Sequence, residues 1–256
     1  DIARESVFSE NPDAFKLCAW DAGPVSNAEI SNSGTLLVVA ESDRGFGCRG
    51  VRAFKVESGE LRQLGSSFKS GAQNPGRVSG PDKISVSADG STFAWEYEDN
   101  LFRVLRYLEG DWRLFAPEFA SPGSNLFMSL NSTGDEILVS YQLPEAVTDF
   151  YGNSNQNFTA RYSFDGNDWI KSAEIPGIVS AASADLENLF VDDVIGNGNY
   201  SYWRWDADSY SRFAKFRDNN ASGFRISSGF NQIAYSTYTG GGLTGIPKES
   251  VLKVVR

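Results

Sequence analysis

The sequence predicts an all-β protein, and three observations carry that expectation. Glycine (25), phenylalanine (18), tyrosine (10) and tryptophan (6) are abundant among 256 residues, whereas methionine occurs once. Short aromatic and β-branched segments alternate with clusters of Gly, Asn, Asp, Ser and Pro, the pattern of strands joined by turns. No stretch of about a dozen residues keeps a 3.6-residue apolar period between helix caps. Residues 143–150 form the single plausible helical turn.

Composition also bounds function. Acids (33) exceed bases (23), for a net charge of −10, and no basic run is visible. Nucleic acid and anionic membrane reward clustered positive charge, so neither is an expected partner. The absence of histidine removes serine–histidine and cysteine–histidine catalysis and histidine-ligated metals. No apolar run approaches the roughly 20 residues that cross a bilayer as a helix.

A repeat organises the chain. Its unit is two apolar positions around any residue, a serine, a tight turn and then three apolar residues. The first copy contains Ala28, Ile30, Ser31, Gly34 and Leu37-Val38-Val39. The second has Ile84, Val86, Ser87, Gly90 and Phe93-Ala94-Trp95; the third has Met128, Leu130, Asn131, Gly134 and Ile137-Leu138-Val139. Weaker copies surround Ser183 to Val191 and Ser227 to Tyr235. The turn positions 34, 90, 134, 186 and 230 step by 56, 44, 52 and 44 residues. Each copy reads as a strand, a sharp turn and a strand covered on both faces.

Third and fourth strands follow in most copies, at 51–56 with 61–64, 102–107 with 112–115, 160–164 with 169–172, and 202–205 with 210–213. Four antiparallel strands in about 49 residues make a propeller blade. The expected fold is a single five-bladed β-propeller with four antiparallel strands per blade. Its blades span 27–70, 78–121, 124–177, 178–220 and 222–256. The last copy ends one strand short at 251–255, and residues 13–20 carry an orphan strand in which Phe15-Lys16-Leu17 parallels Trp112-Arg113-Leu114. Pairing the orphan with the last blade would close the ring and remove two open edges. A sixth blade would need a sixth turn motif, which the chain lacks.

The third and fourth strands carry a resemblance. Ser31, Gly34, Val51-Arg52-Ala53-Phe54 and Leu61-Arg62-Gln63-Leu64-Gly65 resemble a repeat of large extracellular propeller proteins of marine microalgae and bacteria, related to FG-GAP and WD40-like repeats. Ser87, Gly90, Phe102-Arg103-Val104-Leu105 and Gly110-Asp111-Trp112 repeat it, as does Gly166-Asn167-Asp168-Trp169. The resemblance implies a propeller used for extracellular recognition or assembly. The Asp-rich calcium loop of FG-GAP blades is missing, so neither a metal nor a cofactor is expected.

Cys18 and Cys48 are the only cysteines. They fall on the closing strand and in a loop of the neighbouring first blade, where a disulfide would lock the closure. By loop entropy such a bridge contributes roughly 3–4 kcal/mol. Sequons stand at Asn131, Asn157, Asn199 and Asn220, all at turns or strand ends, where N-glycans fit a secreted protein. A chain opening at Asp1 without Met points to processing or to excision from something longer.

Clustered acids raise a metal or glycosidase reading. Asp192-Asp193 and Glu96-Tyr97-Glu98-Asp99 are candidates, while Asp206-Ala207-Asp208 reads as a structural turn. Glycoside hydrolysis needs two carboxylates across the sugar bond. The expected innermost strands offer Glu29, with Asp82 just before the second blade, while the strands of blades three to five offer none. A hydrolase or lyase using Asp21, Glu29 and Asp82 is therefore the alternative to a non-catalytic function.

Trp95, Trp112, Trp169, Trp203 and Trp205 lie in strands and read as core between blades. Loop aromatics carry more information. Trp20 with Asp21, Phe46, Phe150-Tyr151 and Tyr238 fall between strands two and three or four and one, with Asn153, Asn155 and Asn157 nearby. Aromatic rings beside amides suit a sugar. The expected function is extracellular or cell-surface recognition or assembly, binding protein or carbohydrate through Trp20, Asp21, Phe46, Tyr151, Asn153 and Tyr238 on one face.

Overall fold

The computed structural model describes residues 25–42, 49–69, 83–98, 100–143, 157–194, 199–217, 221–226, 232–241 and 247–255. They form antiparallel sheets in chain order and no helix. Sheet one runs β1 (Val25–Ile30), β2 (Leu36–Ser42), β3 (Arg49–Glu57) and β4 (Glu60–Gln63), with β5 (Phe68–Lys69) also on β3. Sheet two runs β6 (Ile84–Val86), β7 (Thr92–Glu98) and β8 (Leu101–Leu108), with β9 (Asp111–Leu114) and β10 (Phe119–Ala120) both on β8. Sheet three is β11 (Ser124–Leu130), β12 (Glu136–Gln142), β13 (Asn157–Phe164) and β14 (Trp169–Pro176). Sheet four is β15 (Ile178–Ala182), β16 (Asn188–Val194), β17 (Asn199–Asp206) and β18 (Ser209–Arg217). Sheet five joins β19 (Ala221–Ile226), β20 (Ile233–Gly241) and β21 (Pro247–Val255).

The repeated turn builds the first two strands of each sheet. In sheet one the Gly34 amide donates to the Ser31 carbonyl at 2.8 Å and the Leu36 amide to Ser31 Oγ at 3.1 Å. Ser87 caps sheet two in the same way, receiving the Gly90 amide on its carbonyl and the Thr92 amide on its Oγ. Asn131 replaces serine in sheet three, where its Oδ1 accepts the amides of Gly134, Asp135 and Glu136. Ser183 caps sheet four. Gly34, Gly90 and Gly134 have φ of 70°, 74° and 75°, a region that costs residues with a Cβ free energy. Leu186 takes this position in sheet four at φ 58°. Its fully buried side chain packs in the core there, and its carbonyl accepts the Tyr210 hydroxyl at 2.5 Å.

The apolar triplets after these turns are enclosed in sheets two to four, whereas in sheet one Val38 and Val39 are buried and Leu37 is half-buried. Phe93-Ala94-Trp95 and Ile137-Leu138-Val139 are completely buried, and Leu189-Phe190-Val191 nearly so. Burial on both faces explains why these strands lack apolar–polar alternation.

Contacts divide the chain into two compact units, and the division runs through sheet three. One unit comprises Asp1–Ser121, Met128–Ile137 and Ser163–Ile170; the other comprises Pro122–Phe127, Leu138–Tyr162 and Lys171–Arg256. The first packs Val38, Val51, Phe93, Trp95 and Trp112 into one core, with the Phe93 and Trp112 rings edge to face at 4.7 Å. The second packs Leu138, Val179, Leu189, Trp203 and Tyr210.

Several strand bounds differ from expectation. Strands β13, β14, β17 and β18 extend beyond the aromatic cores that flagged them, to Asn157, Pro176, Asn199 and Arg217. Main-chain pairing continues wherever the partner strand is long enough, whatever the side chains. The two-residue strands β5 and β10 had no visible signal. The expected closing strand at 13–20, Cys18, Cys48 and all but the first residue of the possible turn at 143–150 lie outside the described residues.

Candidate functional site

Two arrangements in the first unit collect titratable groups. The first lies where β1 approaches β6. Glu29 projects from β1, and its Oε1 accepts the Val86 amide at 3.2 Å. The carboxylate also bonds the Ser85 side chain, whose Oγ in turn accepts the Leu130 amide at 2.9 Å. Glu29 and Ser85 each stand two residues before the capping Ser31 and Ser87, so they occupy one position of the repeat. Each bonds the amide just before the next copy's cap. Burial raises the Glu29 pKa to about 7, although the bonds from Val86 and Ser85 work against that shift. A carboxyl titrating there can carry a proton near neutrality, but Glu29 is the only acid on β1, β6 and β11.

The second lies at the opposite end of sheet two. The Tyr97 hydroxyl donates to Glu118 Oε2 at 2.5 Å. Arg103 Nε donates to Glu118 Oε1 at 2.6 Å, and the guanidinium lies 3.8 Å from the Tyr97 ring centroid. The tyrosine bond, then the arginine, hold the Glu118 carboxyl below its ordinary value. The second unit repeats the device: Tyr141 donates to Glu174 Oε2, which also receives Lys171 Nζ at 3.0 Å. Burial and the carboxylate push the Tyr141 hydroxyl pKa upward. Sequence reading missed both pairs. Their signal was a tyrosine two residues past the apolar triplet in two copies, Tyr97 after Trp95 and Tyr141 after Val139.

These tyrosines end β7 and β12, beside the connections to β8 and β13. Connections at that end vary widely, from Glu98 to Leu101 in sheet two to Gln142 to Asn157 in sheet three. The capped turns at the other end do not vary in the first four sheets. Ile30 to Leu36, Val86 to Thr92, Leu130 to Glu136 and Ala182 to Asn188 each leave five residues between strands.

No protein-family description and no curated protein matches this sequence. Solved structures do match. The β-propeller domain of Cps50 (Swd1) from Myceliophteria thermophila is similar over 87% of this chain, at 9% identity and a TM-score of 0.53. The fold is a β-propeller. A functionally unknown protein from Desulfotomaculum acetoxidans aligns over 93% of the chain and 70% of its own, at 10% identity and a TM-score of 0.57. Hydrazine synthase from Kuenenia stuttgartiensis aligns over 93% of the chain at 12% identity and a TM-score of 0.56. The chain spans 65% of the Swd1 domain and 64% of the hydrazine synthase chain, just under two thirds of each. At such identities the likeness concerns the propeller fold alone.

Of the residues expected to bind or catalyse, Glu29 is placed as described above. Tyr238 lies within β20 and not in the loop expected of it, because β20 and β21 stay paired as far as Gly241 and Pro247; its backbone pairs with Ser250. Trp20, Asp21, Phe46, Asp82, Tyr151, Asn153 and the sequon at Asn220 lie outside the described residues. Asn131 is buried, and its Nδ2 donates to Asp135 Oδ1 at 2.7 Å and Glu136 Oε2 at 3.2 Å. That nitrogen is committed to the turn, which the same side chain caps through its oxygen. Asn157 is buried at the start of β13, and Asn199 is half-buried at the start of β17. Asp206 and Asp208 form the expected turn, with the Asp208 amide on the Asp206 carbonyl at 2.7 Å and Ala207 at φ 59°. Among the described residues no group of three acids could hold a metal.

Proposed function

We propose that this chain is a non-catalytic recognition or assembly module, working outside the cell, that binds protein or carbohydrate through loops at one end of its sheets. In this reading the five sheets are five blades of a closed ring. Residues 13–20 supply the missing strand of sheet five, a Cys18–Cys48 disulfide locks the ring closure, and Asn199 and Asn220 carry glycans. The likeness of the repeat to extracellular propeller repeats supports the location.

The observation that carries the reading is the contrast between the two ends. Connections at one end are five-residue turns capped by their own serine or asparagine in the first four sheets. At the other end they vary severalfold in length and contain Phe46, Tyr151 and Asn153. Rigid scaffolds concentrate binding in such variable loops.

A glycan array, run beside a variant in which residues 144–156 become a short Gly-Ser linker, tests it. The expected result is a bound glycan class that the variant loses without a change in melting temperature. Binding unaffected by loop replacement would contradict the reading.

One observation favours the alternative, a secreted glycoside hydrolase or lyase using Asp21, Glu29 and Asp82. The Glu29 pKa near 7 is that of a general acid. Its commitment to Val86 and Ser85, shared in kind with Ser85 itself, weighs toward a structural role. Turnover of mixed polysaccharides that disappears in Asp82→Asn would establish the alternative.

A further inference from the structure

Sheet four ends in a strand unlike the ends of the other sheets. In sheets one and two the chain-order fourth strands, β4 and β9, have four residues each. In sheet three β14 has eight but contains Glu174 and closes on Pro176, and in sheet five β21 has nine but contains Pro247 and Glu249. β18 has nine, Ser-Tyr-Ser-Arg-Phe-Ala-Lys-Phe-Arg, with no Pro, Gly, Asp or Glu. It pairs with β17 on one side and is the last strand of its sheet among the described residues. Its other edge is unpaired among the described residues and presents main-chain donors and acceptors, interrupted by one register shift at Phe213, a template that strand addition uses.

Side chains along β18 add a preference. Ser211, Arg212, Phe213, Ala214 and Lys215 are all exposed, Phe213 by 67%. Arg204 of β17 stacks on the Phe213 ring at 4.8 Å, and Arg212 stacks on Trp203 at 4.9 Å. Arg204, Arg212 and Lys215 have no carboxylate partner among the described residues, in a chain whose net charge is −10. Rings hold two of these cations in place, so little conformational entropy remains to be lost when an anion arrives.

We infer that β18 receives an extended acidic segment of another protein as an added strand. The segment's backbone pairs with the open edge of β18. Its carboxylates meet Arg212 and Lys215, and an apolar side chain covers Phe213. Charge selects the partner, since alternating carboxylates on an extended chain match cations spaced along a strand. No residue of β18 belongs to the variable loops of the proposed function, so either reading can fail alone.

The test uses the full chain and a fluorescently labelled ten-residue peptide of alternating Glu and Val, followed by anisotropy at low and high salt. Saturable binding is expected, weakening at least tenfold at high salt. A further loss of at least tenfold is expected in the Arg212→Glu/Lys215→Glu variant, with its melting temperature unchanged. The same peptide N-methylated at alternate residues probes backbone pairing without altering the protein, and it too should bind at least tenfold more weakly. Equal binding of the N-methylated peptide, of a Lys–Val peptide, or of dextran sulfate at matched charge would overturn the inference. So would self-association of the chain that the double variant abolishes, because β18 would then be the contact between two copies.

Discussion

The Glu29 carboxylate accepts the Val86 amide at 3.2 Å across the seam between β1 and β6, as Ser85 Oγ accepts the Leu130 amide at 2.9 Å one copy later. The innermost strand of a sheet has no further strand to pair with, so its inward amides need other acceptors. A side chain from the preceding copy supplies one. Serine does this without charge, whereas glutamate does it at the cost of desolvating a carboxylate, which raises its pKa to about 7.

The pH dependence follows from that shift. The folded pKa stands above the unfolded value of 4.5, so the native state binds the proton more tightly. The contribution is complete below about pH 4.5 and declines as pH rises through 7. Glu29→Gln keeps the shape and acceptor of the protonated acid. Denaturant unfolding should find it equal to the parent at pH 4.5 and about 3 kcal/mol more stable at pH 8. Equal stability of the two at pH 8 would contradict the seam account.

Glycines of the repeated turn differ in what a side chain would meet. A Cβ on Gly34 would meet open space, while one on Gly134 would lie 2.4 Å from Thr92 Cβ. Both have positive φ. Gly34→Ala should therefore cost about 1 kcal/mol for backbone strain alone, and Gly134→Ala about 3 kcal/mol because Thr92 must also move. Thermal melts of the two variants check the order.

Asn131 does in sheet three what serine does elsewhere, with one oxygen accepting three amides. Asn131→Ala should cost about 2 kcal/mol by leaving them without an acceptor. Asn131→Ser restores the capping residue of the other copies and should recover at least half of that loss. Urea midpoints with an unchanged m-value would establish that stability alone has moved.

Trp112 and Trp169 occupy matching places in β9 and β14, and their indole nitrogens differ. Trp112 Nε1 donates to the Leu64 carbonyl at 2.7 Å, whereas the buried Trp169 Nε1 has no partner among the described residues. Replacement by Phe removes similar apolar area at both sites. The Trp112→Phe variant should nevertheless be less stable than Trp169→Phe by about 1 kcal/mol, the net contribution of one hydrogen bond. Equal losses would show that the Leu64 contact contributes nothing.

The fold was legible where a residue type does one physical task in every copy. Ser31, Ser87, Asn131 and Ser183 cap turns, and Val38, Val39 and the triplets ending at Trp95, Val139 and Val191 fill the interior, so sequence alone located the first strand pair of four sheets. Strand ends were less legible because β18 and β14 continue through exposed residues whose pairing depends on the partner's main chain. Functional residues were legible only as types. Glu29 stood out as an acid on an inner strand, but its bond to Val86 joins residues 57 positions apart, a relation no local pattern encodes. The Tyr97–Glu118 and Tyr141–Glu174 pairs were missed for the same reason. Aromatic and acidic residues are common here, and only folding reveals which of them meet.

Nuclear Overhauser contacts between backbone protons of residues 15–20 and those of 251–255 test most directly whether the two chain ends share one sheet. Cross-strand contacts in a single antiparallel register, with amides at 15–20 protected from exchange, are predicted. Random-coil exchange at 15–20 with no such contacts would contradict the proposed five-bladed ring.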